Sequence, residues 1–144
     1  MRIVLDTNEL VRALMRPTEL ATFIMAWQSE RFEVIASPEL MAEHEYVLAY
    51  PEISSTISPE SLRAFRSHLL HNIIEVEISS DIKICRDPDD DKVIATAVAE
   101  AVDFLLTQDE DLLTSDVLIF LLSYNVRVST VDKLLTRLDK QDKQ

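Results

Sequence analysis

Short apolar runs alternate along this chain with longer segments in which apolar residues recur at helical spacing. Runs of this length that are rich in Val, Ile, Leu and Phe are typical of buried strands. They predict strands at residues 2–5, 33–36, 73–78, 103–107 and 127–129. The run at 73–78 alternates only weakly between apolar and polar residues, which favours an edge strand.

The segments between these runs carry signals for the start of a helix. Ser37-Pro38-Glu39 and Ser58-Pro59-Glu60 each supply an N-cap, a proline at the first helical position and an acid in the first turn. Pro17 divides the first helical segment in two. The pattern predicts helices at residues 9–28 (as two helices), 38–49, 59–72, 88–101 and 131–138, with a loop at 51–58.

Strands and helices therefore alternate from end to end, without an internal repeat. This order predicts an α/β fold, a three-layer α/β/α domain with a central, mainly parallel sheet, because parallel neighbours need crossover helices. The length of 144 residues suits one domain with a sizeable core. We assign residues 1–138 to this single domain and residues 139–144 to a polar C-terminal tail.

Three counts exclude several classes of protein. The sequence has no glycine, which excludes the Gly-rich loops that bind nucleotide phosphates; Asn72 and Asn125 are then the expected left-handed helix caps. Cys85 is the only cysteine and the three histidines are scattered, so neither an intramolecular disulfide nor a soft-metal site is expected. Because no signal-length or membrane-spanning apolar stretch occurs, we expect a cytoplasmic protein without a membrane partner.

The chain is acidic, with a formal net charge of −12. This charge argues against tight, non-specific binding to duplex DNA, which favours basic surfaces. It remains compatible with a nuclease, because a metal site collects carboxylates and substrate contacts can be local. It would also attract a basic protein partner.

Acidic residues fall where an α/β sheet forms its crevice. Asp6 and Asp109 each follow a predicted buried strand, and ligands of parallel sheets bind outside the carboxyl ends of the strands. Asp91 lies in the first turn of the predicted helix at 88–101, three residues before Ile94, and Glu43 comes from an earlier helix. The neighbouring acids at 87, 89 and 90 are explained as cap and helix-dipole residues.

Four carboxylates from distant segments predict a divalent-metal site. An all-oxygen site selects a hard cation, Mg²⁺ or Mn²⁺. Four acids would bind one ion, or two ions about 3.5–4 Å apart that clamp the attacking and leaving oxygens of a phosphodiester. Because bound water is then acidic, no histidine base is needed. We interpret the chain as a metal-dependent nuclease.

The same residues carry a family resemblance. The chain resembles the PIN-domain nucleases, especially the VapC-like toxin components of bacterial toxin–antitoxin systems. The matching segments are VLDTN at 4–8, SPELMAEHEYVLAYPEI at 37–53, RDPDDDKVIATAVA at 86–99, DFLLTQDEDLL at 103–113 and VRVSTVDKLLTRL at 126–138. The resemblance implies a parallel sheet flanked by helices, Mg²⁺- or Mn²⁺-dependent hydrolysis of single-stranded RNA, an antitoxin partner and a homodimer.

Carried over to this sequence, the family's catalytic and metal-binding acids fall on Asp6, Glu43, Asp91 and Asp109. The resemblance further implies that Asn8 and Thr107 orient these acids and that Asp111 is an auxiliary acid. The chain departs from the family at residues 99–102 and at Gln108, where glycines are common. Glu9 likewise replaces a small residue that is often found there.

Basic and aromatic side chains are candidate contacts with RNA. Basic residues that would meet phosphates are Arg12, Arg16, Arg86 and Lys92. Arg63 and Arg66 share another helix face, although ordinary surface solubility also accounts for such pairs. The three tyrosines would be able to stack on bases, whereas Trp27 is expected in the core.

Two other classes of function compete with the nuclease. One is a catalytically silent PIN-like module that binds or regulates another protein, which metal-dependent cleavage would exclude. The other is a phosphoryl-accepting regulator, which also gathers acids at strand ends. That class needs paired acids after the first strand and a lysine after the last, whereas this chain has one acid, Asp6, and no lysine before Lys133.

Overall fold

The five strands form one parallel sheet in the order β3-β2-β1-β4-β5. The computed structural model describes residues 1–144. The strands are β1 Arg2–Leu5, β2 Glu33–Ala36, β3 Ile73–Glu75, β4 Phe104–Leu106 and β5 Arg127–Ser129. The helices are α1 Thr7–Leu14, α2 Pro17–Gln28, α3 Pro38–Leu48, α4 Pro51–Thr56, α5 Pro59–Asn72, α6 Asp91–Ala99, α7 Ser115–Ser123 and α8 Val131–Asp142. The predicted fold class, a parallel sheet between two helical layers, is confirmed.

Alternation along β1 explains the two layers. Ile3 and Leu5 point into one core cluster together with residues of α1, α2, α5 and α8. Val4 points into the other, which is built from α6 and α7. Since successive side chains of a strand face opposite sides of the sheet, one apolar strand serves both cores. No helix is long and apolar enough to cross a membrane.

The predicted helix starts at Ser37 and Ser58 are confirmed. The Ser37 hydroxyl accepts a hydrogen bond from the backbone N–H of Leu40 at 3.3 Å, and Ser58 accepts one from Ser61 at 3.2 Å. A serine that caps in this way satisfies one of the free N–H groups of the first turn.

Some segments differ from the prediction. The expected loop at 51–58 contains α4, and α7 had no predicted helix. A short 3₁₀ turn, Pro88–Asp90, precedes α6, and another, Glu110–Leu112, follows β4. The last helix continues to Asp142, into the residues predicted as a tail, where Arg31 pairs with Asp142 at 2.9 Å.

The glycine-free chain still turns through left-handed backbone at three residues. These are Glu30, Ala101 and Asn125, with φ between 44° and 61°. Asn125 is one of the two predicted left-handed caps. Asn72 is not, because it is the last residue of α5 and the chain then continues in an extended conformation.

Parallel pairing places the carboxyl ends of β1 and β4 side by side. Leu5 lies opposite Leu106 in the register, and the N–H of Asp6 donates to the Leu106 carbonyl at 3.0 Å. β2 pairs with the other edge of β1, so β1 is the central strand at which the chain order reverses. The crevice of such a sheet lies at this point, directly above Asp6.

Candidate metal centre

Asp6 lies at the bottom of the crevice. Its side chain is 1% exposed, and the Thr107 hydroxyl donates to its Oδ2 at 2.7 Å. Burial raises the pKa of Asp6, and although the Thr107 hydrogen bond opposes this rise, the charges of Asp109 and Glu43 add to it, giving about 6. Thr107 therefore orients the Asp6 carboxylate, whose ionised form is disfavoured by burial and by the neighbouring acids.

Asp109 faces Asp6 from the loop after β4. Its N–H donates to the Thr107 hydroxyl at 3.1 Å, so one threonine holds both acids. The Asp109 carboxylate accepts a bond from the N–H of Asp111 at 2.9 Å and a longer one from Asn8 Nδ2 at 3.4 Å. Asp109 thus also caps the following 3₁₀ turn.

Glu43 approaches from α3, whose position is fixed by the neighbouring histidine. The Nε2 of His44 lies 2.9 Å from the carbonyl oxygen of Leu5, at the end of β1. Burial lowers the pKa of His44 to about 4, so the ring is neutral and donates this bond. Partial burial raises the pKa of Glu43, but the hydrogen bond and the charge of Lys92 outweigh it, and the pKa lies below its usual value.

Asp90 completes the group from the 3₁₀ turn before α6. Its Oδ2 is buried and has no hydrogen-bond partner. Burial raises the pKa of Asp90 to about 7, and the charges of Asp109, Asp6 and Asp87 contribute further. Asp90 is therefore a carboxylate that faces other carboxylates and no donor.

Asp91, which the sequence predicts as a ligand, is directed elsewhere. Its Oδ1 accepts hydrogen bonds from the backbone N–H groups of Ile84 at 3.0 Å and Cys85 at 2.8 Å. These bonds fasten the segment between β3 and α6 to the first turn of α6. The structure brings Asp6, Glu43 and Asp109 together as expected, but the fourth carboxylate facing them is Asp90.

The exchange between Asp90 and Asp91 has a physical reason. The prediction placed Asp91 on the flank of an apolar stripe, but every residue from Val93 to Val98 is buried, so α6 has no such flank. The N–H groups at 84 and 85 also need an acceptor, and no sequence pattern marks them. Two signals would have indicated Asp90: its spacing of four residues from Ile94, and the helical break that Pro88 imposes before α6.

A second group of acids overlaps the first. Asp87, Asp90 and Asp111 each place one oxygen within 4.8 Å of the others, a spacing that suits one cation. Arg86 Nε pairs with Asp111 Oδ1 at this rim. Asp90 belongs to both groups, because its carboxylate lies near Asp6 and Asp109 and also near Asp87 and Asp111.

The residues present fit a hard divalent cation. All the donors are carboxylate oxygens, and the buried Asp90 Oδ2 lacks any partner that the protein itself supplies. Buried polar atoms are normally satisfied, and an unpartnered carboxylate oxygen is what a metal ion would bind. The acids that would hold such an ion are Asp6, Glu43, Asp90 and Asp109, with Asp87 and Asp111 at the rim.

The predicted phosphate contacts separate into two pairs. Arg12 lies 4.0 Å from the buried Glu9, which itself accepts from the N–H of Val131, and Arg16 lies 3.4 Å from Glu19. Both arginines thus face acids of their own helices. Arg86 and Lys92 do lie at the cluster, where they pair with Asp111 and Glu43.

A cavity of about 690 Å³, lined by Met1, Trp27, His68 and neighbouring residues, shares no residue with the acid cluster. The acid cluster lies elsewhere, at the carboxyl ends of β1 and β4. Size alone therefore does not locate this site, whereas the grouping of charges does.

Comparison with known families agrees with this geometry. A family model of the PIN domain matches residues 2–111, well over half of the chain. The chain belongs to the PIN-domain family. The resemblance inferred from the motifs is thereby confirmed, and PIN domains are generally nucleases. All the acids of the crevice lie within the matched residues.

A solved structure shares the fold. A chain in the crystal structure of VapBC2 from Rickettsia felis, bound to a DNA fragment from their promoter, is similar with a TM-score of 0.55 and 16% identity. The similarity covers 90% of this chain and 98% of that chain. At this identity the likeness is one of fold. A comparison with curated proteins gave no match.

Proposed function

We propose that this PIN domain is a Mg²⁺- or Mn²⁺-dependent endoribonuclease that hydrolyses phosphodiester bonds of single-stranded or structured RNA. The observation that carries the proposal is the charge arrangement in the crevice. Asp6 and Asp90 are held beside Asp109 with raised pKa values and without a lysine or arginine partner. Such repulsion is costly, and a divalent cation would relieve it.

Each residue of the crevice then has a role in holding or orienting. Asp6, Glu43, Asp90 and Asp109 would bind the ion, while Thr107 orients Asp6 at 2.7 Å. A divalent ion bound there stabilises charge on a phosphoryl oxygen and lowers the pKa of water. The neutral His44 keeps α3 against β1 and so keeps Glu43 beside Asp6.

Arg86 and Lys92 are the proposed phosphate contacts. Both are at the rim of the crevice, and both already pair with an acid of the cluster. Binding of a cation to Glu43 and Asp111 would free part of this positive charge for the RNA backbone. Asn8 and Asp111 support Asp109, and we retain them as positioning residues.

We further propose that the chain is the toxin of a toxin–antitoxin pair and forms a homodimer in the cytoplasm. The chain of similar fold and nearly equal length comes from VapBC2 bound to a DNA fragment from their promoter, and the motifs of this chain resemble those of VapC-like toxins. The net charge of −12 suits an antitoxin segment that is basic. The single cysteine, Cys85, is consistent with a reducing compartment.

The first experiment measures cleavage of a labelled single-stranded RNA pool with Mn²⁺ and with EDTA, for wild type, Asp90→Ala and Asp91→Ala. We expect wild type to cleave only with Mn²⁺. Asp90→Ala should lose cleavage and Mn²⁺ binding without loss of stability, because it removes a repelled carboxylate. Asp91→Ala should keep Mn²⁺ binding but unfold more easily, by about 2 kcal/mol, since two N–H groups lose a charged acceptor.

These adjacent positions make the outcome specific. Loss of Mn²⁺ binding in Asp91→Ala, with retention in Asp90→Ala, would return the ligand role to Asp91. Absence of cleavage by a wild type that binds Mn²⁺ would favour the silent interaction module. Absence of both would overturn the proposed function.

A further inference from the structure

Two tyrosines on one side of the crevice are exposed to solvent. Tyr46 on α3 is 68% exposed and Tyr50, just beyond α3, is 40% exposed. Their ring centroids are 5.2 Å apart and the ring planes cross at 77°. By contrast, the aromatic cluster of Phe23, Trp27 and Phe32 is buried in the core. The tyrosine pair is thus a surface feature that core packing does not explain.

The pair lies on the same side of α3 as Glu43. Positions i and i+3 of a helix are neighbours on its surface, and Glu43 and Tyr46 of α3 have this spacing. Tyr50 follows the last turn of α3, but its ring remains against Tyr46. Cβ atoms at i and i+3 of a helix are about 5–6 Å apart, and the Tyr50 ring centroid lies 5.2 Å from that of Tyr46, so the rings lie within one or two nucleotides of a phosphate at the acid cluster.

The electrostatics agree with this proximity. Burial effects and the neighbouring Tyr46 raise the pKa of the Tyr50 hydroxyl, and the charges of Glu52 and Glu43 contribute to the same rise. Tyr50 is thus close enough to Glu43 to respond to its charge. The two exposed tyrosine rings therefore lie next to Glu43, a candidate metal ligand.

We propose that Tyr46 and Tyr50 form a stacking subsite for an unpaired nucleobase of the RNA strand whose phosphate lies at the acid cluster. The inference rests on the proposed nuclease function and specifies how its substrate is held. Rings at 77° let a base stack on the face of one tyrosine while its edge meets the other. Only an unstacked base is free to do this, so the subsite selects single-stranded RNA over duplex.

The charge of the protein makes such a subsite useful. With a net charge of −12, this domain gains little from general attraction to a phosphate backbone. Stacking on an aromatic ring contributes about 1–3 kcal/mol per base and does not depend on net charge or on base identity. The tyrosine pair would therefore supply affinity without sequence preference.

The test uses a short single-stranded RNA containing 2-aminopurine, whose fluorescence falls when the base stacks. Binding is measured with Ca²⁺, and cleavage with Mn²⁺. The variants are Tyr46→Ala, Tyr50→Ala, the double alanine variant and the corresponding Tyr→Phe changes. Tyr124→Ala is the matched control, because Tyr124 is also exposed (42%) and packs on Phe120, but it lies between α7 and the amino end of β5, away from the acid cluster.

We expect the double alanine variant to bind the RNA roughly 10- to 100-fold more weakly and to lose the fluorescence change on binding. Its Mn²⁺ affinity and its kcat at saturating RNA should stay near the wild-type values, so that the effect appears in KM. The phenylalanine variants keep the rings and should retain wild-type binding, as should Tyr124→Ala.

The outcomes separate this inference from the nuclease itself. If wild type cleaves but the alanine variants bind RNA as tightly as wild type, the stacking subsite is overturned and the nuclease stands. The rings would then be available to a protein partner. If wild type quenches 2-aminopurine without cleaving, the subsite stands and the nuclease fails. If wild type neither binds nor cleaves the RNA, both fail.

Discussion

Acidic side chains gather at both ends of the central sheet, but the two ends differ in how they are balanced. At the amino end, Arg2 contacts three acids. Its N–H donates to Asp103 at 2.8 Å, and its guanidinium lies 2.9 Å from Glu100 and 3.5 Å from Glu33. These groups are solvent-exposed, so water screens whatever charge the arginine leaves uncompensated.

At the carboxyl end the acids are less exposed: Asp6 is buried, and Asp90 and Asp109 are half-buried. Lys92 and Arg86 pair with Glu43 and Asp111 at the rim. No lysine or arginine pairs with the inner acids Asp6, Asp90 and Asp109. Asp6 is 1% exposed, so solvent screens it poorly.

Because acids gather at both ends of the sheet, their number alone does not define a metal centre. Three carboxylates around Arg2 form a surface network of the kind that contributes about 0–1 kcal/mol per pair. For the inner acids Asp6 and Asp90, burial and the charges of neighbouring acids instead disfavour the ionised form, and a bound cation would relieve this cost. Burial without a counter-charge therefore distinguishes the candidate site.

The largest difference between the two ends should appear when one acid is removed from each. We expect Asp6→Asn to weaken Mn²⁺ binding by more than about 100-fold, a larger loss than removing an outer-shell group, and to abolish cleavage. Asp103→Asn should leave Mn²⁺ binding unchanged. Isothermal titration with Mn²⁺ measures both affinities.

Asp6→Asn should remain folded, because the amide oxygen still accepts the Thr107 hydrogen bond. Its thermal unfolding in EDTA at pH 8 should occur at or above the wild-type temperature, since a buried charge has been removed. Equal Mn²⁺ affinity in both variants would show that the inner acids do not bind the ion.

A smaller effect concerns pH. The folded pKa values of Asp6 and Asp90, about 6 and about 7, lie above their usual value of 3.8. The stability that each contributes is therefore complete below about pH 4 and is lost as pH rises through 6 and 7. Because Mn²⁺ binds the ionised acids, we expect the increase in Tm on adding Mn²⁺ to be larger at pH 8 than at pH 5.5.

His44 acts in the opposite direction over part of this range. Its pKa of about 4 lies below 6.5, so its contribution is lost as pH falls through that interval. The difference in Tm with and without Mn²⁺ at one pH removes the His44 contribution, because both samples share it. A Mn²⁺ effect independent of pH, or the same pH dependence in Asp6→Asn, would contradict the assignment.

Part of this site could be predicted from the order of strands and acids in the sequence. Asp6 and Asp109 follow strands, and parallel pairing brings the carboxyl ends of β1 and β4 together, so two of the acids were predictable from strand order. The choice between Asp90 and Asp91 was not, because it depends on the 3₁₀ turn before α6 and on two N–H groups of the preceding loop.

Two helices escaped the sequence analysis for different reasons. The α7 segment from Val117 to Leu122 is apolar on every side, including the exposed Ile119 and Leu122, so it shows no helical periodicity. The α4 segment is short and rich in Ser and Thr, which favour turns as readily as helices. In both cases the tertiary context decides what the local pattern leaves open.

The smallest predicted effect lies at the amino end, where α6 stops before β4. Ala101 has φ 44°; its N–H donates to the Val98 carbonyl, and the next N–H, of Val102, donates to the Ala97 carbonyl. This left-handed cap normally contains glycine, because a Cβ is unfavourable there. Ala101→Gly should therefore stabilise the protein by about 1 kcal/mol in urea unfolding.

Ala99→Gly is the matched control, since Ala99 is equally exposed but helical, as the last residue of α6. There glycine should destabilise by about 0.5–1 kcal/mol. A loss of stability in both variants would contradict the left-handed cap. Mn²⁺ affinity should be the same in both, because neither residue contacts the inner acids. Opposite changes in stability with one unchanged affinity would show that the two ends of the sheet can be altered independently.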